Sequence, residues 1–215
     1  MAIEVKICGL RTLDTMQAAL DAGADYVGLV FFEKSPRNVS IETAAELADL
    51  ASERAKVVVL LVDASDGMVD RIMPYVAPDI LQLHGSETPA RVAEIKRRTG
   101  AIIMKAIKVE TAADAALALD YIGIADLILF DAKAPKDAML PGGNGLTFDW
   151  RVLDDVKAKV PYMLSGGLTP GNVAEAIRLT GARRVDVSSG VEISPGEKDA
   201  DLIRAFIAAA KAVSI

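Results

Sequence analysis

The feature that most constrains this chain is a strict alternation, repeated from one end to the other, of short β-branched runs and alanine-rich segments of helical period. The runs are Val5 to Ile7, Tyr26 to Phe31, Val57 to Val62, Ile80 to Leu83, Ile102 to Ile107, Leu127 to Phe130, Tyr162 to Leu164 and Val185 to Val187. Between and after them lie Thr12 to Ala22, Ile41 to Ser52, Gly67 to Val76, Pro89 to Thr99, Thr111 to Asp120, Phe148 to Ala158, Pro170 to Leu179 and Asp199 to Val213, each with apolar residues at helix spacing. Strands that alternate with helices run parallel and are joined by crossover helices. Eight such units within about 200 to 250 residues predict a closed (β/α)8 TIM barrel, with an open doubly wound sheet as the alternative. No low-complexity linker divides the chain, so residues 1–215 are expected to form a single domain.

Capping residues agree with the helix assignments. Thr12 and Ser40 stand at helix starts, Pro89 and Pro170 in first-turn positions, and Gly100 and Gly181 at helix ends.

Charge and cysteine content narrow the partners. A net charge of −6 disfavours nucleic acid and anionic membranes, so any phosphate must be held by local groups. No apolar run reaches the ~18 residues needed to span a bilayer. A single cysteine cannot form an internal disulfide, and Met1-Ala2-Ile3-Glu4 lacks the basic start of a secretory signal, which points to a reducing cytoplasm. The single histidine, His84, excludes a multi-histidine metal site. Monomer and homodimer both remain compatible with the alanine-rich helices.

In a barrel of this kind the site is built at the carboxyl ends of the strands, and alternate side chains face the lumen. Parity therefore selects candidates. With Ile3, Val5 and Ile7 toward the helices, Glu4, Lys6 and Cys8 point inward and Cys8 is uppermost. The same count turns Asp131, Gln82, His84, Asp186 and Ser188 inward at their strand ends. A lone thiol is more often an inert core residue than a base, and a lone histidine more often a hydrogen-bonded structural group; their place at the mouth is what argues for substrate contact. Lys6 in the lumen must be paired, with Asp186 or Glu4 as partner.

Two glycine-rich strand ends, Ser165-Gly166-Gly167-Leu168 and Ser188-Ser189-Gly190-Val191-Glu192, follow the seventh and eighth strands, where such barrels bind phosphate through backbone N–H groups. A third cluster, Pro141-Gly142-Gly143-Asn144-Gly145, lies in a long loop running from Asp131 to about Thr147 and reads as a lid. Arg37, in the loop after the second strand, could hold a carboxylate through two hydrogen bonds.

Taken together, Lys6-Ile7-Cys8-Gly9-Leu10, Ser35-Pro36-Arg37, Gln82-Leu83-His84-Gly85, Leu129-Phe130-Asp131, Gly142-Gly143-Asn144-Gly145 with Phe148-Asp149-Trp150, Ser165-Gly166-Gly167-Leu168 and Val185-Asp186-Val187-Ser188-Ser189-Gly190-Val191-Glu192 resemble the phosphoribosylanthranilate isomerases of tryptophan biosynthesis. Asn144 departs from the small hydroxyl residue more usual there. The resemblance implies an Amadori rearrangement of N-(5′-phosphoribosyl)anthranilate, a small phosphosugar substrate, with no metal or organic cofactor. It assigns Asp131 as the acid that protonates the furanose oxygen and Cys8 as the base that removes the C2′ proton. A carboxyl group donates only when protonated, and an apolar strand beneath it favours the neutral form. A free thiol titrates near ~8.5, and nearby positive charge is expected to lower that value. By the same resemblance Arg37 meets the anthranilate carboxylate, Gly143, Gly166, Gly167, Ser188, Ser189 and Gly190 the phosphate, and Asp186 a ribose hydroxyl or Lys6, while their place at the mouth makes Gln82 and His84 candidate substrate contacts.

Three other readings compete. An indole-glycerol-phosphate synthase type of lyase or synthase would share the glycine loops but use a lysine acid, Lys105 or Lys133. A relative working with two aspartates would need one in place of Cys8. A non-catalytic phosphosugar-binding barrel would leave Cys8 and Asp131 without a purpose.

Overall fold

The computed structural model describes residues 2–133, 142–143 and 145–214. Eight parallel strands close into a ring in chain order: β1 (Glu4–Cys8), β2 (Tyr26–Phe31), β3 (Lys56–Leu61), β4 (Ile80–Leu83), β5 (Ile102–Val109), β6 (Leu127–Ala132), β7 (Tyr162–Leu164) and β8 (Arg184–Val187), with β8 pairing back onto β1. The closed TIM barrel is the architecture expected from the alternation, and the open sheet is excluded.

The helices are α1 (Leu13–Asp21), α2 (Ile41–Ala51), α3 (Asp66–Val76), α4 (Pro89–Thr99), α5 (Ala112–Ala116), α6 (Val173–Thr180) and α7 (Ala200–Lys211). Their starts are set by side-chain oxygens: Thr12, Ser40 and Thr88 each accept the backbone N–H three residues on, and Pro89 occupies the first turn of α4. Gly100 and Gly181 end α4 and α6 in left-handed conformation, as expected. Among the described residues no helix is long and apolar enough to cross a membrane.

Three expectations fail locally. Thr111 to Asp120 is a single α-helical turn, α5, tightened into a 3-10 helix over Leu117–Tyr121, which brings the Tyr121 hydroxyl 2.8 Å from the Glu87 carbonyl oxygen. Phe148 to Ala158 contains only a 3-10 helix, Trp150–Leu153, followed by turns. Leu153, Val156 and Val160 are all buried there, and their spacing of three and four suits 3-10 turns as well as an α-helix, so periodicity could not tell them apart. Pro170 precedes α6 instead of opening it. Asn172 uses its side chain to accept from the Thr169 N–H (2.8 Å) and donate to the Gly167 carbonyl (3.0 Å), so the segment from Gly167 to Asn172 is a tied turn.

Strand parity holds. Tyr26, Val58, Ile80, Met104, Ala106, Leu127, Leu129 and Met163 pack together inside the ring, whereas Ile3, Val5, Ile7, Ile128, Phe130, Val185 and Val187 belong to the larger core between strands and helices. Lys6 is fully buried in the lumen and its ammonium lies 2.9 Å from Asp186 Oδ1, directly across the β1–β8 register. Glu4 is not its partner, because that carboxylate is taken by Arg184 at 2.6 Å and by the Tyr26 hydroxyl at 3.0 Å.

Lys105 points the other way. It shares the face of Ile103, Ile107 and Val109, between β5 and the helices, where its ammonium meets Glu87 Oε2 at 2.8 Å and the Gly85 carbonyl at 2.8 Å. It cannot serve as the lysine acid of a synthase-type site. Glu87 also accepts the Asp63 N–H through Oε1 at 2.9 Å, so the pair ties together the loops after β3 and β4.

Breaking a buried ion pair on one side strands the other charge. Lys105→Met is expected to lower the unfolding free energy by ~3–5 kcal/mol in urea titrations, and Lys105→Met with Glu87→Gln by clearly less, since the glutamine still accepts the Asp63 N–H.

Candidate active site

At the carboxyl ends of the strands a single cavity is lined by Cys8, Arg37, Gln82, His84, Asp131, Asp186, Gly143, Gly166, Gly167, Ser188 and Ser189, which brings together nearly all the residues singled out in the sequence. Gly190 is set back from it, in the short 3-10 turn Ser189–Val191, against the Leu168 carbonyl. The lid reading falls largely on residues 134–141 and on Asn144, which lie outside the described residues; Gly142, Gly143 and Gly145 reach the cavity. Val30, Phe32, Leu60, Val62, Leu146 and Leu168 give it an apolar wall.

Cys8 tops β1 beside Gly28 of β2, its register partner. A Cβ at Gly28 would stand 2.9 Å from Cys8 Sγ, so the thiol lies over bare backbone. A glycine inside an otherwise apolar strand often marks such a close approach, and Tyr26-Val27-Gly28-Leu29-Val30-Phe31 carried that signal unread. The thiol is 3% exposed. Burial pushes its pKa up; Lys6 works against the shift and Asp186 adds to it. Lys6 and Lys198 do lower it, as expected of nearby positive charge, but desolvation outweighs them, so the net shift is upward and the expected lowered value is corrected. Lys6 itself pays for burial with a push downward, yet the Asp186 carboxylate and the Cys8 thiol more than offset this and leave its pKa raised.

Asp131, next to last in β6, lies on the lumen side, three strands from β1 around the closed ring. Its Oδ1 accepts the Ala132 N–H at 3.0 Å and its Oδ2 lies 3.1 Å from His84 Nε2. The other nitrogen of His84, Nδ1, lies 2.9 Å from Gln82 Nε2. Asp186 is held on both oxygens, by Lys6 at 2.9 Å and by the Ser165 hydroxyl at 3.2 Å.

Gly166 and Gly167 both have positive φ, 87° and 62°, and together bend the β7 end back over Ala132 and Leu146. With Ser188 and Ser189 they line the cavity that Arg37 also reaches.

Arg37 is buried and already engaged. Its Nε and Nη2 grip the two oxygens of Glu192 at 2.8 Å each, and Nη2 also donates to the Gly143 carbonyl at 3.2 Å, while Nη1 has no hydrogen-bond partner among the described residues. Glu192 in turn holds Lys198 at 2.5 Å, and Lys198 donates to the Ser188 carbonyl at 3.0 Å. The Ser188 hydroxyl closes the chain on the Cys8 carbonyl at 3.1 Å. Burial would raise the Glu192 pKa, but the two cations overcome it and hold the carboxyl low; burial pushes the Lys198 ammonium down. Lys198, on the two-residue strand β10 (Glu197–Lys198) paired with β9 (Glu192–Ser194), carried no signal in the sequence. Glu192 stood in a noted motif without a role. Lys133 stands on the cavity rim, half exposed and 3.1 Å from Asp114.

The family model described as N-(5′-phosphoribosyl)anthranilate (PRA) isomerase matches residues 5–209. The N-(5′-phosphoribosyl)anthranilate isomerase of Rhodopseudomonas palustris (strain BisB5) is 57% identical over 212 residues, covering 99% of this chain and 97% of that protein. Among solved structures, the phosphoribosyl anthranilate isomerase of Thermotoga maritima superposes with a TM-score of 0.88 at 35% identity, over 98% of this chain and 100% of the other. A phosphoribosyl anthranilate isomerase in complex with reduced 1-(o-carboxyphenylamino)-1-deoxyribulose 5-phosphate gives 0.86 at 33%, with the same coverage. The chain thus belongs to the phosphoribosylanthranilate isomerase family.

Proposed function

We propose that this chain converts N-(5′-phosphoribosyl)anthranilate to 1-(2-carboxyphenylamino)-1-deoxyribulose 5-phosphate by proton transfer between its own side chains and the sugar. The observation that carries the reading is the placement of a carboxyl group and a thiol, Asp131 and Cys8, on lumen faces three strands apart around one cavity. An acid and a base that act on different atoms of one bound sugar need that separation.

Asp131 gives its proton to the furanose oxygen as the C1′–O bond breaks, and the anthranilate nitrogen supplies the pair that forms the C1′=N bond. Cys8 then takes the proton from C2′, which the iminium has acidified, and the enolamine goes on to the ketone. Each step couples a proton transfer to bond shifts inside the substrate, with no group passed to the protein and no net oxidation, so acid and base side chains suffice for the chemistry. Lys6 supports the base in two ways: its charge favours the thiolate against burial, and its pairing with Asp186 keeps that charge in place. Arg37 offers Nη1 to the anthranilate carboxylate, held at the correct angle by Glu192. The backbone of Gly143, Gly166, Gly167, Ser188 and Ser189 surrounds the phosphate, with Gly190 set back behind Ser189, and Lys198 contributes a buried positive charge behind it. His84 and Asp186 face the sugar between the two ends, and the apolar wall from Phe32 to Leu60 receives the aromatic ring.

Conversion is followed directly by the loss of anthranilate-type fluorescence when purified protein meets phosphoribosylanthranilate. Multiple turnovers are expected, and a folded protein that leaves the signal unchanged removes the reading.

The raised thiol pKa sets a second outcome. With one cysteine in the chain, the pH dependence of alkylation by iodoacetamide reports Cys8 alone. The rate is expected to climb through a midpoint above the free-thiol value of ~8.5, because deprotonation is opposed until the pH passes the folded-state pKa. Lys6→Met takes away the charge that favours the thiolate and leaves Asp186, which opposes it, so its midpoint moves to higher pH; a midpoint unchanged or lower in that variant contradicts the electrostatic account.

A further inference from the structure

Both ring nitrogens of the only histidine are engaged by buried side chains. Gln82 is fully buried, and His84 and Asp131 are 6% and 5% exposed. At Nδ1 stands the Gln82 amide nitrogen, a group with two hydrogens to donate and no lone pair to offer, so Nδ1 must be the acceptor and the proton of the neutral ring falls on Nε2. Turning the amide over would exchange it with Gln82 Oε1, which has no hydrogen-bond partner among the described residues. That turn would leave both N–H groups without a partner among the described residues, where one N–H and the oxygen lack one now, and unpaired buried N–H groups are the rarer and costlier case. The orientation with nitrogen toward His84 is therefore favoured, and Nε2–H is left to donate to Asp131 Oδ2.

We infer that Gln82 and His84 are positioning residues for the ring-opening acid: Gln82 fixes the Nε2–H tautomer of His84, and His84 stabilises the negative charge that Asp131 carries once its proton has left. The inference rests on the assignment of Asp131 as the acid. In that step the Asp131 O–H bond breaks, the ring oxygen takes the proton and the electron pair of the C1′–O bond, and His84 keeps its own proton. Its hydrogen bond changes from a neutral contact to a charge-assisted one, which is stronger, so the gain arises as the proton moves and not before. The Ala132 N–H on Oδ1 acts in the same direction. A doubly protonated ring would instead hold Asp131 as carboxylate from the start and spend the acid. Gly142 completes the arrangement. A Cβ there would stand 2.6 Å from Asp131 Oδ2 and 2.7 Å from His84 Nε2, so only glycine can lie over this pair and cover the hydrogen bond from the loop side.

The test is the imidazole 15N NMR spectrum of the full-length enzyme labelled with 15N-histidine, in which a single residue gives every ring signal. At about pH 7 the expected spectrum has Nε2 protonated and Nδ1 bare. A proton on Nδ1, or on both nitrogens, overturns the inference. In Gln82→Met, which removes the donor at similar volume, kcat is expected to fall about ten-fold or more, the value of a hydrogen bond to a charged group, with KM within about two-fold. An unchanged kcat, or a loss confined to KM, also overturns it. Should that variant not fold, the wild-type spectrum decides alone. A wild-type protein without turnover defeats the functional reading, whereas a ring protonated on Nδ1 in an active enzyme defeats only this inference.

Discussion

Lys6 and Asp186 face each other across the seam where β8 returns to β1, and the rest of the site depends on that contact. A barrel closes only if the first and last strands meet in one register, and the pair lies at that register, with Val5 and Val187 turned outward on either side. Shifting β8 by one residue would bury Asp186 among helix-facing apolar side chains and leave Lys6 unpaired, an error that the low dielectric of the lumen penalises heavily. The same ion pair lies directly beneath Cys8. It therefore links folding to chemistry: the contact that selects the closing register also sets the field in which the thiol titrates.

Above this level, charge is arranged in chains anchored on backbone. Arg37, Glu192, Lys198, Ser188 and the Cys8 carbonyl form one such sequence, running from the loop after β2 through the loop after β8 to the end of β1. Two cations share one carboxylate, so the group keeps a net positive charge next to a cavity suited to an anionic ligand. Gln82, His84 and Asp131 form the second, along the floor from β4 to β6. In the proposed function the first chain addresses the substrate's anionic ends and the second its reacting ring oxygen. They reach one cavity from different strands because the lumen faces of a barrel converge at its mouth.

Much of this was legible in the sequence, for identifiable reasons. Tyr26–Phe31, Ile80–Leu83, Tyr162–Leu164 and Pro89–Thr99 have the bounds expected of them, since β-branched runs and a proline-opened helix leave little freedom. Parity placed Cys8, Gln82, His84, Asp131 and Asp186 correctly because a period of two has only two phases. The same count, applied to Lys105, would have turned it outward, away from the mouth. Periodicity failed from Phe148 to Ala158, where 3-10 turns and an α-helix bury the same residues. It had nothing to say about Lys198 or about Glu192 as the partner of Arg37, since that contact joins residues 155 positions apart through loops whose paths no local pattern encodes. The direction of the Cys8 shift also escaped, because it depends on how deeply the thiol is covered, and the bare backbone of Gly28 decides that.

The central claim is that Cys8 and Asp131 work as base and acid on opposite parts of one substrate. Single-turnover and steady-state rates for Cys8→Ser and Asp131→Asn, both close in volume to the native residues, address it most directly. Each variant is expected to fold like the wild type and to lose about 10²–10⁴-fold in kcat, the range for removing a positioned acid or base, without forming a covalent adduct detectable by intact-protein mass. A kcat near the wild-type value in either folded variant would contradict the account.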